Sequence, residues 1–198
     1  MRLFPVEEGP ERKLYEGDLD PDPVSESQAR SSRDGREFDI EAFDYLEKAG
    51  ATIVDRYLLV GGYRFDALVE GVSGKRFLVA AHGSPDRTPR AQAGMRRQDT
   101  ALKFGYRALI LAGRPDHHPL LLLTSHMPTE ELSAAQILRD VARAKALWDA
   151  VQVPDLAGFR RLQRYFGEDP PEEPLEAPWR QTQLSFDDID PLDELEVQ

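Results

Sequence analysis

Residues 63–83 read YRFDALVEGVSGKRFLVAAHG and have the pattern of two strands joined by a tight turn. Apolar and more polar residues alternate through the first half, which is the period of a half-buried strand. Ser73-Gly74 predicts the turn, and Arg76–Ala81 predicts the second strand. Antiparallel strands joined in this way would bring Asp66 close to residues 80–82 at one edge of a sheet.

The segments on either side predict an α/β fold. DIEAFDYLEKAG at 39–50 predicts a helix with Asp39 as its N-cap and Gly50 as its end, followed by a strand and a turn at Gly61-Gly62. After the central hairpin we expect a helix over 94–105, strands over 106–113 and 120–125, a long helix over 129–151 and a short final helix. This order predicts a mixed sheet flanked by helices.

The charge is unevenly distributed along the 198 residues, whose net charge is −11. Residues 1–38 carry −4 and residues 167–198 carry −10, whereas residues 39–166 carry +3. We therefore expect a folded domain over 39–166 between an acidic N-terminal arm and an acidic, Pro-rich C-terminal tail, both disordered-like. A mildly basic domain between acidic ends is compatible with DNA binding.

The composition excludes several classes of chemistry. The chain has no cysteine, which excludes disulfides, thiolate zinc sites and a cysteine nucleophile. The sequence has neither a signal peptide nor an apolar run of about 18 residues, so we expect no membrane contact and a cytoplasmic location.

Asp66, placed among apolar strand residues, and the end of the next strand carry the most informative pattern. Here the chain resembles the restriction-endonuclease-like PD-(D/E)XK nuclease superfamily, in which a helix acid, a hairpin Asp and an acid-x-Lys tripeptide form the site. The helix acid falls on Glu41, the hairpin Asp on Asp66, and the tripeptide on Ala80, Ala81 and His82. The resemblance implies a restriction-endonuclease-like core.

The same resemblance implies a catalytic set of Asp66, Ala80, His82 and Glu41, with Gln98 on the following helix. It also implies Mg²⁺ or Mn²⁺ held by Asp66 and the Ala81 carbonyl, because carboxylate and carbonyl oxygens suit these ions. The implied function is a metal-dependent DNA endonuclease, or a nuclease subunit, in DNA repair or defence.

Two positions depart from the superfamily pattern. Ala80 stands where the metal-binding acid is expected, and His82 replaces the Lys. Imidazole can orient or deprotonate water, but alanine supplies no ligand. Either the chain has lost cleavage and kept binding, or an acid at position 80 has been replaced to trap an inactive form. In both cases we expect little or no cleavage by this chain.

Residues 87–107 contain six bases and one acid, which favours contact with DNA phosphates. The predicted contact residues are Arg87, Arg90, Arg96, Arg97 and Lys103, with Arg107 in the same run. The alternative interpretation is a solvated helix face. In function, the alternative is a non-catalytic DNA-binding or adaptor protein that partners recruit through the tails.

The C-terminal tail contains the pattern Gln181-x-x-Leu184-x-Phe186. It resembles the short peptides with which bacterial repair and replication proteins dock on the sliding clamp, a peptide-in-groove contact. We therefore expect the clamp or another protein as a partner. Two alternatives are an apolar patch that packs on the domain and an acidic tail that folds over the basic surface. The sequence leaves the oligomeric state open.

Overall fold

The computed structural model describes residues 23–86, 94–115 and 117–174, with side chains from residue 35 onward. Its helices are α1 (Pro23–Lys48), α2 (Gln98–Ala112), α3 (Ser133–Arg143) and α4 (Leu156–Phe166). Its strands are β1 (Thr52–Arg56), β2 (Leu59–Val60), β3 (Tyr63–Arg64), β4 (Ala67–Glu70), β5 (Arg76–His82), β6 (Leu120–Thr124) and β7 (Asp149–Gln152). A short 3-10 helix, Gly94–Arg96, precedes α2.

The mixed α/β fold predicted from the sequence is confirmed. Five strands form one mixed sheet in the order β1-β4-β5-β6-β7, and β2 and β3 form a separate small hairpin. The β1, β4 and β5 strands are antiparallel neighbours, whereas β6 and β7 continue the sheet in parallel. The helices α2 and α3 provide the crossovers that parallel strands need. This arrangement is compatible with a nuclease-like core.

Two apolar clusters cover the two faces of the sheet. On one face α1 and α4 pack against the sheet, and Phe38, Leu46 and Tyr165 are fully buried there. On the other face α2 and α3 pack through Phe104 and Leu138. The sheet is therefore the middle layer of three, buried on both sides.

The first helix is longer than the sequence predicted. It begins at Pro23 rather than Asp39, so Asp39 lies inside α1 and the N-cap assignment is wrong. Ile40 is exposed, whereas Phe38 and Ala42 are buried on the face that packs on the sheet. The stop at Gly50 is confirmed, because Gly50 follows the helix with φ of 99°.

The predicted strand over 106–113 is wrong, because α2 continues through Gly105 to Ala112. The buried residues of α2 recur with helical spacing, as Ala101, Phe104, Ala108 and Leu111. A Cβ on Gly105 would lie 3.0 Å from Ile137 Cγ2. The glycine therefore allows close packing of α2 on α3 and does not end the helix.

The predicted helix over 129–151 divides into α3 and β7. The helix α3 begins at Ser133 rather than near residue 129, and its N-cap is Leu132. Lys145 has φ of 55°, which ends the helix. The backbone N–H of Trp148 then donates to the Leu120 carbonyl at 2.8 Å. Pairing with β6 thus overrides the helical pattern.

A buried charge fixes the start of β7 to α4. Asp149 is fully buried, and its carboxylate accepts hydrogen bonds from Arg161 at 2.8 Å and from the Tyr165 hydroxyl at 3.0 Å. Removing either donor would leave a buried carboxylate short of partners. In the sheet register Asp149 pairs with Leu121, and Leu121 pairs with Val79.

None of the helices in the described ranges is both long and apolar enough to cross a bilayer. The division into an arm, a domain over 39–166 and a tail stays a prediction. Phe38, the last residue of the predicted arm, belongs to the core.

Candidate functional site

Asp66 lies in the bend between β3 and β4, at the edge of the sheet where β5 ends. The register pairs Ala67 with Val79, and the Asp66 N–H donates to the Val79 carbonyl at 2.9 Å. The Asp66 carboxylate accepts the Ala81 N–H at 2.8 Å. The structure therefore brings Asp66 next to residues 80–82.

The environment of Asp66 raises the pKa of its carboxyl group above the ordinary value. Burial raises its pKa, while the Ala81 N–H and the positive charges of Arg64 and Arg107 lower it, and burial prevails. The Asp66 carboxylate thus has one backbone hydrogen-bond donor, and the positive charges of two arginines act on it in a largely desolvated position.

Ala80 faces the apolar layer between the sheet and α2. It is buried in the cluster that includes Leu78, Met95 and Phe104. Its methyl group offers no ligand or proton-transfer group, so β5 contributes no acid at this position.

His82 is the last residue of β5 and lies under α2. Its ring meets the edge of the Phe104 ring, with centroids 6.2 Å apart. Burial, and secondarily the charge of Arg107, lower the pKa of His82 to about 4. At neutral pH the imidazole is therefore uncharged and can act as a hydrogen-bond partner but not as a cation.

The acid of α1 that is subject to the charge of Asp66 is Asp39. Burial, followed by the negative charge of Asp66, raises the pKa of Asp39 to about 6, whereas Arg64 and a hydrogen bond from Tyr57 lower it. The predicted helix acid, Glu41, lies two residues further along α1 and is partly buried. The sequence predicted Asp39 as an N-cap, a position outside the helix, and therefore did not predict that Asp39 lies on a helix face near Asp66.

Tyr57 and Arg64 complete this side of the site, and sequence reasoning missed both. Tyr57 has φ of 57°, a conformation that is strained for an aromatic residue. The Arg64 guanidinium lies over the Tyr57 ring, 4.8 Å from its centroid, and the ring also meets the edge of Phe43. The turn after β1 carries Tyr57 and β3 carries Arg64, so tertiary structure brings both toward Asp39 and no local sequence signal identifies them.

The basic residues of α2 lie in two groups. Near the helix start, Arg97 and Lys103 both approach the Asp99 carboxylate, at 3.3 Å and 3.9 Å. Further along, Arg107 is partly buried and its charge acts on both Asp66 and His82. Arg96 ends the 3-10 helix before α2, and the predicted contacts Arg87 and Arg90 lie outside the described residues.

A groove of about 660 Å³ opens between the N-terminal ends of α2 and α3. Its lining includes Arg96, Arg97, Gln98, Asp99, Leu102 and Leu132. The structure thus places Gln98, a predicted catalytic residue, in this groove. The catalytic role assigned to it stays a prediction.

The donors at the Asp66 edge fall short of the metal site that the resemblance implies. Mg²⁺ and Mn²⁺ need several hard oxygen ligands, and the acid expected at position 80 is missing. Within the described ranges, no group of three or more His, Asp or Glu side chains is arranged to hold a metal ion. The residues present therefore do not fit a complete divalent-metal site.

The predicted partner-binding residues Gln181, Leu184 and Phe186 lie outside the described residues. The arm before residue 23 and the tail after residue 174 do so as well.

No protein-family model matches the chain, and a search of curated proteins gave no match. Among solved structures, the chain is similar to that of Pyrococcus furiosus SfsA in complex with Ca²⁺, with 18% identity over 60% of this chain and a TM-score of 0.34. The chain spans about half of that structure's length, 54%. A similarity of this extent shows neither a family nor a function.

Proposed function

We propose that the chain is a DNA-binding protein built on a nuclease-like scaffold, and that it does not cleave DNA in its present form. In this proposal a backbone phosphate lies at the Asp66 edge beside Arg107 and His82. Neighbouring phosphates lie along the basic side of α2.

The observation that carries the proposal is the position of Arg107. Its charge acts on Asp66 and His82, which supports a shared surface for the basic side of α2 and this end of the sheet. A guanidinium there can hold a phosphate oxygen, and Lys103 lies four residues earlier on the same side of the helix. Phosphate contacts of this kind supply most of the sequence-independent affinity for DNA.

Ala80 is the reason to expect no cleavage. The position that would supply the second carboxylate is an apolar, buried methyl group, and His82 is uncharged at neutral pH. Without that carboxylate the metal-dependent attack of water on a phosphodiester has no support from these residues.

A second candidate is a Mg²⁺- or Mn²⁺-dependent endonuclease, or a subunit of a nuclease assembly, whose active form carries an acid at position 80. The hydrogen bond from the Ala81 N–H to the Asp66 carboxylate supports this candidate, because it brings Asp66 next to residue 80 in the chain.

DNA binding is tested by the anisotropy of a labelled duplex at several salt concentrations. We expect Arg107→Ala to weaken binding about tenfold and to reduce the salt slope by about 1. The matched control is Arg164→Ala, an exposed arginine on α4 on the other face of the sheet, which should change neither quantity. Equal affinity and slope for the wild type and Arg107→Ala would contradict the proposal.

Cleavage is tested with plasmid DNA and Mg²⁺ or Mn²⁺. We expect no nicking by the wild type or by Ala80→Gln, which has the size of glutamate without its charge. Nicking by Ala80→Glu alone would establish the second candidate's site. If Ala80→Glu folds and binds DNA but does not nick it, the endonuclease candidate is eliminated and the binding proposal stands.

Recruitment to the sliding clamp through Gln181, Leu184 and Phe186 is a further part of the proposal. Its support is the sequence pattern described above. Undiminished capture of the clamp by a Gln181→Ala/Leu184→Ala variant would exclude this contact.

A further inference from the structure

The outer side of α2 exposes an unusual apolar surface. Leu102, Tyr106 and Leu109 are 53%, 62% and 50% exposed. Their spacing of four and three residues places them in one row along the helix, which we call the apolar face of α2. Exposed apolar side chains that lie next to one another are typical of interaction sites.

The helix that carries this face is basic. Residues 96–114 contain five bases and a single acid, Asp99. Lys103 is adjacent in sequence to Leu102, and its ammonium group is well exposed. A partner for this face should therefore combine apolar side chains with negative charge.

The C-terminal tail of the same chain has this composition. Residues 181–198, QTQLSFDDIDPLDELEVQ, contain six acids and no base. Apolar residues recur between the acids at Leu184, Phe186, Ile189, Leu192 and Leu195. The segment therefore combines the apolar side chains and the negative charge that suit the apolar face of α2.

The described part of the tail ends close enough for this contact. The Lys75 ammonium donates to the Pro171 carbonyl at 2.5 Å, and Lys145 pairs with Glu173 at 3.0 Å just beyond the end of α3. The helix α3 packs directly on α2. Nine residues lie between Pro174 and Leu184, so the ten Cα–Cα steps can span about 33 Å, whereas α2 is about 22 Å long.

We propose that residues 184–195 dock in cis on the apolar face of α2. Leu184 and Phe186 would cover Leu102, Tyr106 and Leu109, while the following acids face the basic residues beside them. This contact does not depend on DNA binding, although it would cover part of the same basic surface.

The test uses the absence of cysteine from the chain, which makes an introduced thiol a unique labelling site. A nitroxide on a Ser185→Cys variant of the full chain should broaden the methyl NMR signals of Leu102 and Leu109 severalfold. The matched reference is Leu156, which is 64% exposed on α4 on the other face of the sheet and should stay sharp.

Two outcomes would overturn the proposal. Equal broadening, or none, at Leu102, Leu109 and Leu156 would exclude docking on this face. Broadening that disappears on dilution would assign the contact to the tail of a second copy. Because the label lies in the tail, we expect the Ser185→Cys variant to keep the packing of the domain. A Leu184→Ser/Phe186→Ser change on the same background should abolish the broadening at Leu102 and Leu109.

Discussion

At the scale of single residues, Asp39 and His82 titrate in overlapping pH ranges with opposite effects on folding. The pKa of Asp39 is raised from 3.8 to about 6, so its contribution to stability is present below about pH 4 and is lost as the pH rises through 6. The pKa of His82 is lowered from 6.5 to about 4, so its contribution is present above about pH 6.5 and is lost as the pH falls through 4. The slopes of stability against pH that the two groups produce therefore have opposite signs and partly cancel in the wild type.

Single substitutions should separate these slopes. As the pH increases from 4 to 6.5, the free energy of unfolding of Asp39→Asn should rise relative to that of the wild type. Over the same pH increase, the free energy of unfolding of His82→Gln should fall relative to that of the wild type. The change across the range should be on the order of 1–2 kcal/mol, less than the full shifts because both side chains keep some contact with water. Urea unfolding at half-unit pH steps measures it. Parallel pH profiles for the three proteins would contradict the assignment.

At the scale of elements, Gly83 sets how closely α1 approaches the end of β5. A Cβ on Gly83 would lie 2.5 Å from the ring of Phe38, which is fully buried on α1. We expect Gly83→Ala to destabilise the fold by about 1–3 kcal/mol through overpacking. Gly35→Ala, also at α1 but with nothing within 4 Å of the new Cβ, should be neutral or stabilising. Chemical denaturation that ranks the two variants equally would disprove this account.

The helix α2 carries an internal competitor for phosphate. Asp99 pairs with both Arg97 and Lys103, so two predicted DNA contacts are partly neutralised in the free protein. If DNA binds here, Asp99→Asn should increase affinity about two- to fivefold, the range expected for releasing exposed ion pairs. Asp140→Asn, which releases the similar Arg143 pair on α3, is the control and should have little effect. A duplex titration in which both variants match the wild type would show that α2 does not contact DNA through these side chains.

At the scale of the whole molecule, the net charge of −11 describes the ends of the chain rather than its folded part. Removing residues 175–198 deletes seven acids and one base. We expect the shortened chain to bind DNA about tenfold more tightly at low salt, with the difference shrinking as salt screens it. Replacing the six acids of 181–198 by their amides in the full chain should reproduce the effect. Unchanged affinity in both proteins would mean that the acidic end does not compete for the basic surface.

The sequence alone determined the layered α/β class and the position of Asp66 beside residues 80–82. Both follow from local physics, because alternation, the Ser73-Gly74 turn and hairpin register depend on neighbours along the chain. It also located the basic run that α2 carries. It did not predict that α2 extends through Gly105, because the apolar run over 106–113 suits a buried strand as well as a helix.

Only the tertiary structure decided which side chains lie in the electrostatic neighbourhood of Asp66. Asp39, Tyr57 and Arg64 belong to three separate elements, and they meet through the turn after β1 and the approach of α1 to the sheet. Their pKa shifts arise from burial and from charges distant in sequence, which no local pattern encodes. The same holds for β7, whose pairing with β6 and whose buried Asp149 outweigh the helical pattern of its own sequence.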